Sequence, residues 1–340
     1  MDIAQKPYLR AMLGALVGDA AGATLEFGKR PVTKEMAEAA MRMPGGGAMG
    51  VGQGQITDDG ELTLALWSAL RPWDSYHGVP RTNMVRAYAE WIESRPFDCG
   101  STCGYAFMEA AEVVRATEPG QSLNYERLQE FTENVKNRNA NSQANGACMR
   151  STAIASWIAS HPNTPIQNCI STARVDAELS HPNEVCCEVN QLYTLACCSL
   201  MRGYTPSETF KRLDEYVHDS IKEQSVRDWF LNDSIDISTM ECERHMGHVR
   251  WGFTLAMHFL RNPHISYEDA IRTTLMKGGD TDTNACIVGG LVACYQPIPE
   301  YMLRPVLTFD CNSDGILKSN GIYRPGAYSV KKAFGYLLTL

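Results

Sequence analysis

The sequence predicts an all-α fold, a compact many-helix globule, on three observations. Apolar residues recur at three- and four-residue spacing along nearly the whole chain. Runs in which polar and β-branched residues alternate are missing, and prolines separate the periodic segments at helix-length intervals. In chain order the helical segments are carried by Leu9, Met12, Leu13 and Leu16; by Leu62, Leu66, Ala69 and Leu70; and by Met84, Ala87, Tyr88 and Trp91. Further on they are carried by Ile154 and Ile158; Leu192, Leu195 and Leu200; Trp251, Leu255 and Phe259; and Ile287, Leu291 and Cys294. The breakers between them are Pro72, Pro80, Pro96, Pro119, Pro162, Pro182, Pro206 and Pro263. One low-complexity tract, PGGGAMGVGQG at 44–54, joins the first helical block to the segment carrying Asp58 and Asp59. Such a loop either approaches a ligand with its backbone or is a surface connector. Its G-x-G-x-x-G match is set aside, because no strand-like sequence precedes it and no Lys-Ser or Lys-Thr pair follows.

A chain of 340 residues, 44% hydrophobic and 21% charged, can bury a large core, and a single domain over 1–340 is expected. The formal net charge is -8 and the basic residues are scattered, which argues against a nucleic-acid partner. An anionic ligand would need local capture. The apolar stretch near the amino terminus is too short, and too interrupted by Asp19 and glycines, to span a bilayer or act as a signal segment. A cytoplasmic monomer without membrane attachment is the expectation. Twelve cysteines include no C-x-x-C pair, and the doublets Cys186-Cys187 and Cys197-Cys198 lie in helical sequence, so buried free thiols are expected rather than zinc, Cys99 and Cys103 included. His245-Met246-Gly247-His248 lacks the glutamate and spacing of a zincin helix and reads as a polar helical turn.

Chemistry is carried by two acidic segments more than two hundred residues apart, Thr57-Asp58-Asp59 and Asp280-Thr281-Asp282-Thr283. Either alone reads as a helix N-cap, whose side-chain oxygens accept the free amides of the first turn. Paired carboxylates exceed what one cap needs, and surplus oxygens suit hard cations. With the Thr57 and Thr283 hydroxyls, Asp58, Asp59, Asp280 and Asp282 make six ligand groups, enough for two Mg²⁺ or Mn²⁺ ions whose charge balances the four aspartates. Gly278 and Gly279 allow a tight turn into Asp280. Glu26 is a third acidic candidate, as a ligand, a base or an ordinary surface residue.

The segments GALVGDAAGATLEF, GQGQITDDGELTLAL, NGACMR and GGDTDTNACIVGGLVA, in that order, resemble those of the ADP-ribosylglycohydrolases, the dinitrogenase-reductase-activating glycohydrolase and its ADP-ribosyl-acceptor hydrolase relatives. The resemblance runs from about residue 10 to about residue 295. It implies a compact all-α fold holding two magnesium or manganese ions. It implies hydrolysis of the bond between ADP-ribose and a protein side chain, arginine or serine, or a small ADP-ribosyl conjugate. By motif, Thr57, Asp58, Asp59, Asp280, Asp282 and Thr283 are implied metal ligands, and Glu26 a ligand or catalytic carboxylate. Asn145, Gly146, Ala147, Cys148 and Met149, followed by Arg150, are similar to the family loop that holds diphosphate and ribose, and His181 to a histidine of the ribose pocket. The segment from Asp98 to Thr102 resembles another that lines the site.

The residues make coherent chemistry. Departure of a side chain from ribose creates an oxocarbenium-like centre. Catalytic candidates are Glu26, Asp59 and Asp98, the last as general base or, alternatively, as the cap of a helix beginning near Cys103. Amides at 145–149 could receive a pyrophosphate, and Arg150 could pair with phosphate or form a surface salt bridge. Departures from the family pattern fall at Ile56, Gly60, Ala144 and Cys148, positions that bear on substrate fit. Two competing readings use the same residues: a dimetal phosphohydrolase cutting the pyrophosphate, and a non-catalytic ADP-ribose-binding relative.

Overall fold

The computed structural model describes residues 6–28, 31–73, 78–118, 121–310, 321–335 and 337. Sixteen α-helices are described: α1 (Pro7–Gly22), α2 (Lys34–Ala40), α3 (Asp58–Leu70), α4 (Arg81–Glu93), α5 (Ser101–Arg115), α6 (Tyr125–Asn139), α7 (Thr152–Ser160), α8 (Asn168–Glu178), α9 (Glu184–Met201), α10 (Pro206–Ser220), α11 (Gln224–Asp228), α12 (Val249–Arg261), α13 (Tyr267–Met276), α14 (Thr281–Val292), α15 (Glu300–Thr308) and α16 (Val330–Phe334). Among the described residues only isolated bridges, Gly46 with Val51 and Ala144 with His248, interrupt the all-α pattern. Pro7, Pro80 and Pro206 stand at helix starts, as their missing N–H allows, while Pro305 sits inside α15; Pro119 lies outside the described residues.

The packing that builds the site is that of α1 on α14, from opposite ends of the chain. Gly14, Gly18 and Gly22 recur every fourth residue and so form one face of α1. A Cβ at Gly18 would lie 2.0 Å from the Ala285 carbonyl oxygen, and one at Gly22 would lie 2.4 Å from Asp282 Cα. The contact is reciprocal, since a Cβ at Gly289 would lie 2.3 Å from Gly14 O. Hydroxyl groups seal it: Tyr267 donates to Gly14 O at 2.6 Å and Thr281 to Gly22 O at 2.9 Å. Only side-chain-free positions let two backbones come this near, and the approach carries Asp19 alongside Asp282.

Around this pair α9 is buried along nearly its whole length, and aromatic side chains fill the space between α4 and α5, where Tyr88 stacks on Phe107 at 4.4 Å. Ten of the described cysteines are buried and Cys99 is partly so, all as free thiols, which matches the expectation; Cys311 lies outside the described residues. Among the described residues no helix is long and apolar enough to cross a membrane. The glycine tract at 44–54 is a compact turn, with Gly46 N on Val51 O at 2.7 Å and Val51 N on Gly46 O at 3.0 Å. None of its residues lines the cleft described below. His245-Met246-Gly247-His248 is a turn preceding α12, not a turn of it: His245 has φ 51° and His248 is the N-cap.

Candidate active site

The acidic turn 57–59 opens α3, yet its own side chains do not cap that helix. Thr57 is the N-cap residue and makes no side-chain cap bond. Asp19, from α1, does the work instead. Its carboxylate accepts the Thr57 amide at 3.0 and 3.1 Å, the Thr57 hydroxyl at 2.9 Å and the Gly60 amide at 2.8 Å. One side chain from another helix thus satisfies both amides that a capping box would serve. Asp58 and Asp59 are left free for other work. The sequence offered one signal for Asp19, a lone carboxylate inside an apolar helix, and the reading from sequence passed over it.

The second acidic segment is placed by glycine. Gly278 and Gly279 have φ of 67° and 72°, and a Cβ at Gly279 would lie 2.1 Å from Cys242 O. Asp280 is the N-cap of α14 without a side-chain cap bond; its Oδ2 accepts the Asn145 amide group at 2.8 Å. Asp282 Oδ1 accepts the Thr283 amide at 2.9 Å, and the Thr57 hydroxyl reaches Asp282 Oδ2 at 3.4 Å. The two remote segments therefore meet.

Two carboxylate groups result, and each keeps one oxygen per residue within 4.8 Å of the others. One joins Asp19, Asp59 and Asp282, and the other Glu26, Asp98 and Asp282. Asp282 belongs to both. Burial drives these groups toward the protonated form: Asp19 is pushed up to about 7 and Glu26 to about 8, with neighbouring carboxylates adding to the effect. Burial and the other carboxylates likewise push Asp58, Asp59 and Asp282 well up, and burial raises Asp98. Three buried oxygens, Glu26 Oε2, Asp59 Oδ1 and Asp280 Oδ1, have no hydrogen-bond partner. Orphaned, mutually repelling carboxylate oxygens fit a hard cation, which supplies the missing partner and the missing charge together. These residues could hold metal ions.

The carboxylates form one wall of a cleft of about 310 Å³, which Asn145, Gly146, Met149, His181, Met246 and Gly247 complete. Asp98 lines it too, close enough to Asp58 for the two carboxylates to repel. It is not a helix cap: α5 begins at Ser101 with Gly100 as N-cap. Ala147 and Cys148, expected on a substrate-binding turn, are fully buried and are not among the residues that line the cleft. The amides of Asn145, Cys148 and Met149 are engaged with Gly247 O, Asn145 O and Asn145 O at 3.0, 2.8 and 3.1 Å. The expected supply of amides at 145–149 therefore narrows, at the cleft, to Gly146.

Arg150 corrects both expectations for it, phosphate pairing and a surface salt bridge. Its guanidinium is fully buried, bonded to Asp176 Oδ2 at 2.9 Å, Asp176 O at 3.1 Å, Ser180 Oγ at 2.8 Å and Gly146 O at 2.9 Å, and it lies 4.6 Å from the Tyr88 ring centre. It holds the cleft turn from behind. His181 faces the cleft 1% exposed, with Nδ1 2.9 Å from Ser180 Oγ. Burial, and then Arg150, hold it down at about 3, so it is a neutral hydrogen-bonding group. Met246 and Gly247, in the segment read from sequence only as a polar helical turn, also line the cleft.

An all-helical chain with a carboxylate-walled cleft fed from both ends is one class of protein. The family model for ADP-ribosylglycohydrolase matches residues 2–318, and the chain belongs to that family, whose activity is hydrolysis of ADP-ribosyl bonds. It is 27% identical over 337 residues to a protein of Acanthamoeba polyphaga mimivirus named as an ADP-ribosyl glycohydrolase, covering 94% of this chain and 96% of that one. A 95-residue stretch is 39% identical to the ADP-ribosyl-[dinitrogen reductase] glycohydrolase of Rhodospirillum rubrum, covering 28% of this chain and 31% of that one. A solved structure described as an ADP-ribosylglycohydrolase-related protein complex matches with a TM-score of 0.66 and 22% identity, over 88% of this chain and 92% of that one, a likeness of fold.

Proposed function

We propose that the chain, acting as one catalytic domain in the cytoplasm, hydrolyses the glycosidic bond between ADP-ribose and a protein side chain, arginine or serine, or a small ADP-ribosyl conjugate. The observation that carries this is the convergence of Asp59 and Asp282, from segments 225 residues apart by the Thr57–Asp282 contact, on one cleft wall with orphaned buried oxygens. Thr57, Asp58, Asp59, Asp280, Asp282 and Thr283 are the proposed holders of two divalent cations, Mg²⁺ or Mn²⁺, with Glu26 beside them. Bound there, the cations would supply positive charge that neutralises the cluster and attracts the sugar hydroxyls.

The side chains divide the remaining work. Asp98 accepts the proton of the attacking water; its raised pKa makes it a stronger base than a free carboxylate. Glu26 and Asp59 set the negative field that stabilises charge developing at the anomeric carbon. His181, neutral, and the Gly146 backbone orient the ribose and diphosphate without adding charge. The acidic chain thereby captures an anionic ligand through local dipoles.

Product analysis tests the reading. Incubation with arginine-linked, serine-linked and polymeric ADP-ribose substrates, with each metal in turn, is expected to release free ADP-ribose from at least one. AMP as the product would identify a pyrophosphate hydrolase, and no product from any substrate a binding protein.

A further inference from the structure

Two side chains flank the acidic turn in the sequence, Gln55 two residues before Thr57 and Glu61 two residues after Asp59. Both are gripped by one segment from the far end of the chain. Gln55 Nε2 donates to Ile322 O at 2.7 Å, while its Oε1 accepts the amides of Ile322 at 3.0 Å and Gly52 at 2.8 Å. Arg324, 3% exposed, forks onto Glu61, with Nε on Oε1 at 2.7 Å and Nη2 on Oε2 at 2.8 Å. Its other donors go to Ser94 O at 2.9 Å, Arg95 O at 3.1 Å and Ser94 Oγ at 2.7 Å. All five N–H groups of the guanidinium are thus spoken for.

A single exposed ion pair fixes little, but a buried two-pronged fork fixes distance and angle together. Glu61 stands on the first turn of α3, so the fork sets the rotation of that turn about its axis. Gln55 sets the approach of the chain into it. The backbone between them bears Thr57, Asp58 and Asp59. Neither Ile322 nor Arg324 lines the cleft, and the match to the family model ends before them, at residue 318.

We propose that residues 322–324 are a positioning strap that sets the divalent-cation affinity of the turn 57–59, an inference that rests on the metal reading above. Ligand oxygens held in place beforehand need no ordering when the ion arrives, and partners that orient ligands change metal affinity about 10–100-fold when removed.

The test titrates Mn²⁺ into the full chain and follows the free ion by its paramagnetic resonance signal, for wild type, Arg324→Lys, Arg324→Gln and Gln55→Leu. Circular dichroism and melting temperature are recorded beside it. Arg324→Gln and Gln55→Leu are expected to raise the Mn²⁺ dissociation constant about 10-fold, with KM at saturating Mn²⁺ little changed. Arg324→Lys, which keeps the buried charge and loses the fork, is expected to fall between and decides the matter if the glutamine variant does not fold. Folded variants that melt earlier but bind Mn²⁺ as wild type does would overturn the strap and leave a brace. A wild-type chain that binds no Mn²⁺ overturns the metal reading itself, and the strap with it.

Discussion

Asp19 Oδ2 accepts the Gly60 amide at 2.8 Å across 41 residues of sequence, so the start of α3 is capped from α1. The consequence is that a carboxylate outside both acidic motifs controls the geometry of one of them. Asp19→Ala removes an acceptor from two buried amides and is expected to destabilise the fold by about 1–3 kcal/mol. Asp19→Asn, which keeps one acceptor oxygen, is expected to lose less. Urea denaturation of the three proteins checks the order; an alanine variant as stable as wild type would dismiss the cap.

The buried carboxylates make stability pH-dependent when no cation is present. Asp19 at about 7 and Glu26 at about 8 hold protons that the unfolded chain releases near its ordinary carboxylate values, 3.8 and 4.5. Between those limits the folded state binds more protons, so stability is complete below about pH 4 for these groups and is lost as pH rises through 7 and 8. In chelator the melting temperature is therefore expected to fall between pH 5.5 and pH 8.5. Added Mn²⁺ is expected to raise it most at the higher pH. A chelated protein whose melting temperature climbs over that range would contradict the burial of these groups.

The helices were legible because their apolar faces repeat, and the two acidic motifs because paired carboxylates exceed a cap's needs. What local sequence hides is partnership at a distance. Thr57 and Asp280 look like caps and occupy cap positions, but whether a cap oxygen is used depends on a residue 38 positions away in one case and on Asn145, 135 positions away, in the other. Asn145 and Gly146, marked by the motif, line the cleft, whereas nothing local in the sequence announces that Ala147 and Cys148, on the same turn, are buried in the core. Arg150 looked available to phosphate because nothing in its neighbourhood announces Asp176 or Ser180.

Arg150 is expected to serve stability and not phosphate affinity. Removing it leaves Asp176 charged and unpaired in the core, so Arg150→Ala should cost about 3–5 kcal/mol of stability. Asp176→Asn should be costly for the same reason, since it leaves the guanidinium without its partner. Chemical denaturation measures both. If Arg150→Ala kept its stability and instead raised KM for the nucleotide moiety, the guanidinium would belong to the ligand after all.

The central claim is that Asp282, shared by both carboxylate groups, joins the two ends of the chain in one metal-dependent glycosidase site. The most direct measurement is release of free ADP-ribose from an ADP-ribosylated protein by wild type and Asp282→Ala, with Mn²⁺ and in excess chelator. The account predicts turnover by wild type with Mn²⁺ alone, and a loss of roughly 10²–10³-fold or more in the folded variant. Release by Asp282→Ala at the wild-type rate, or by wild type in excess chelator, would contradict it.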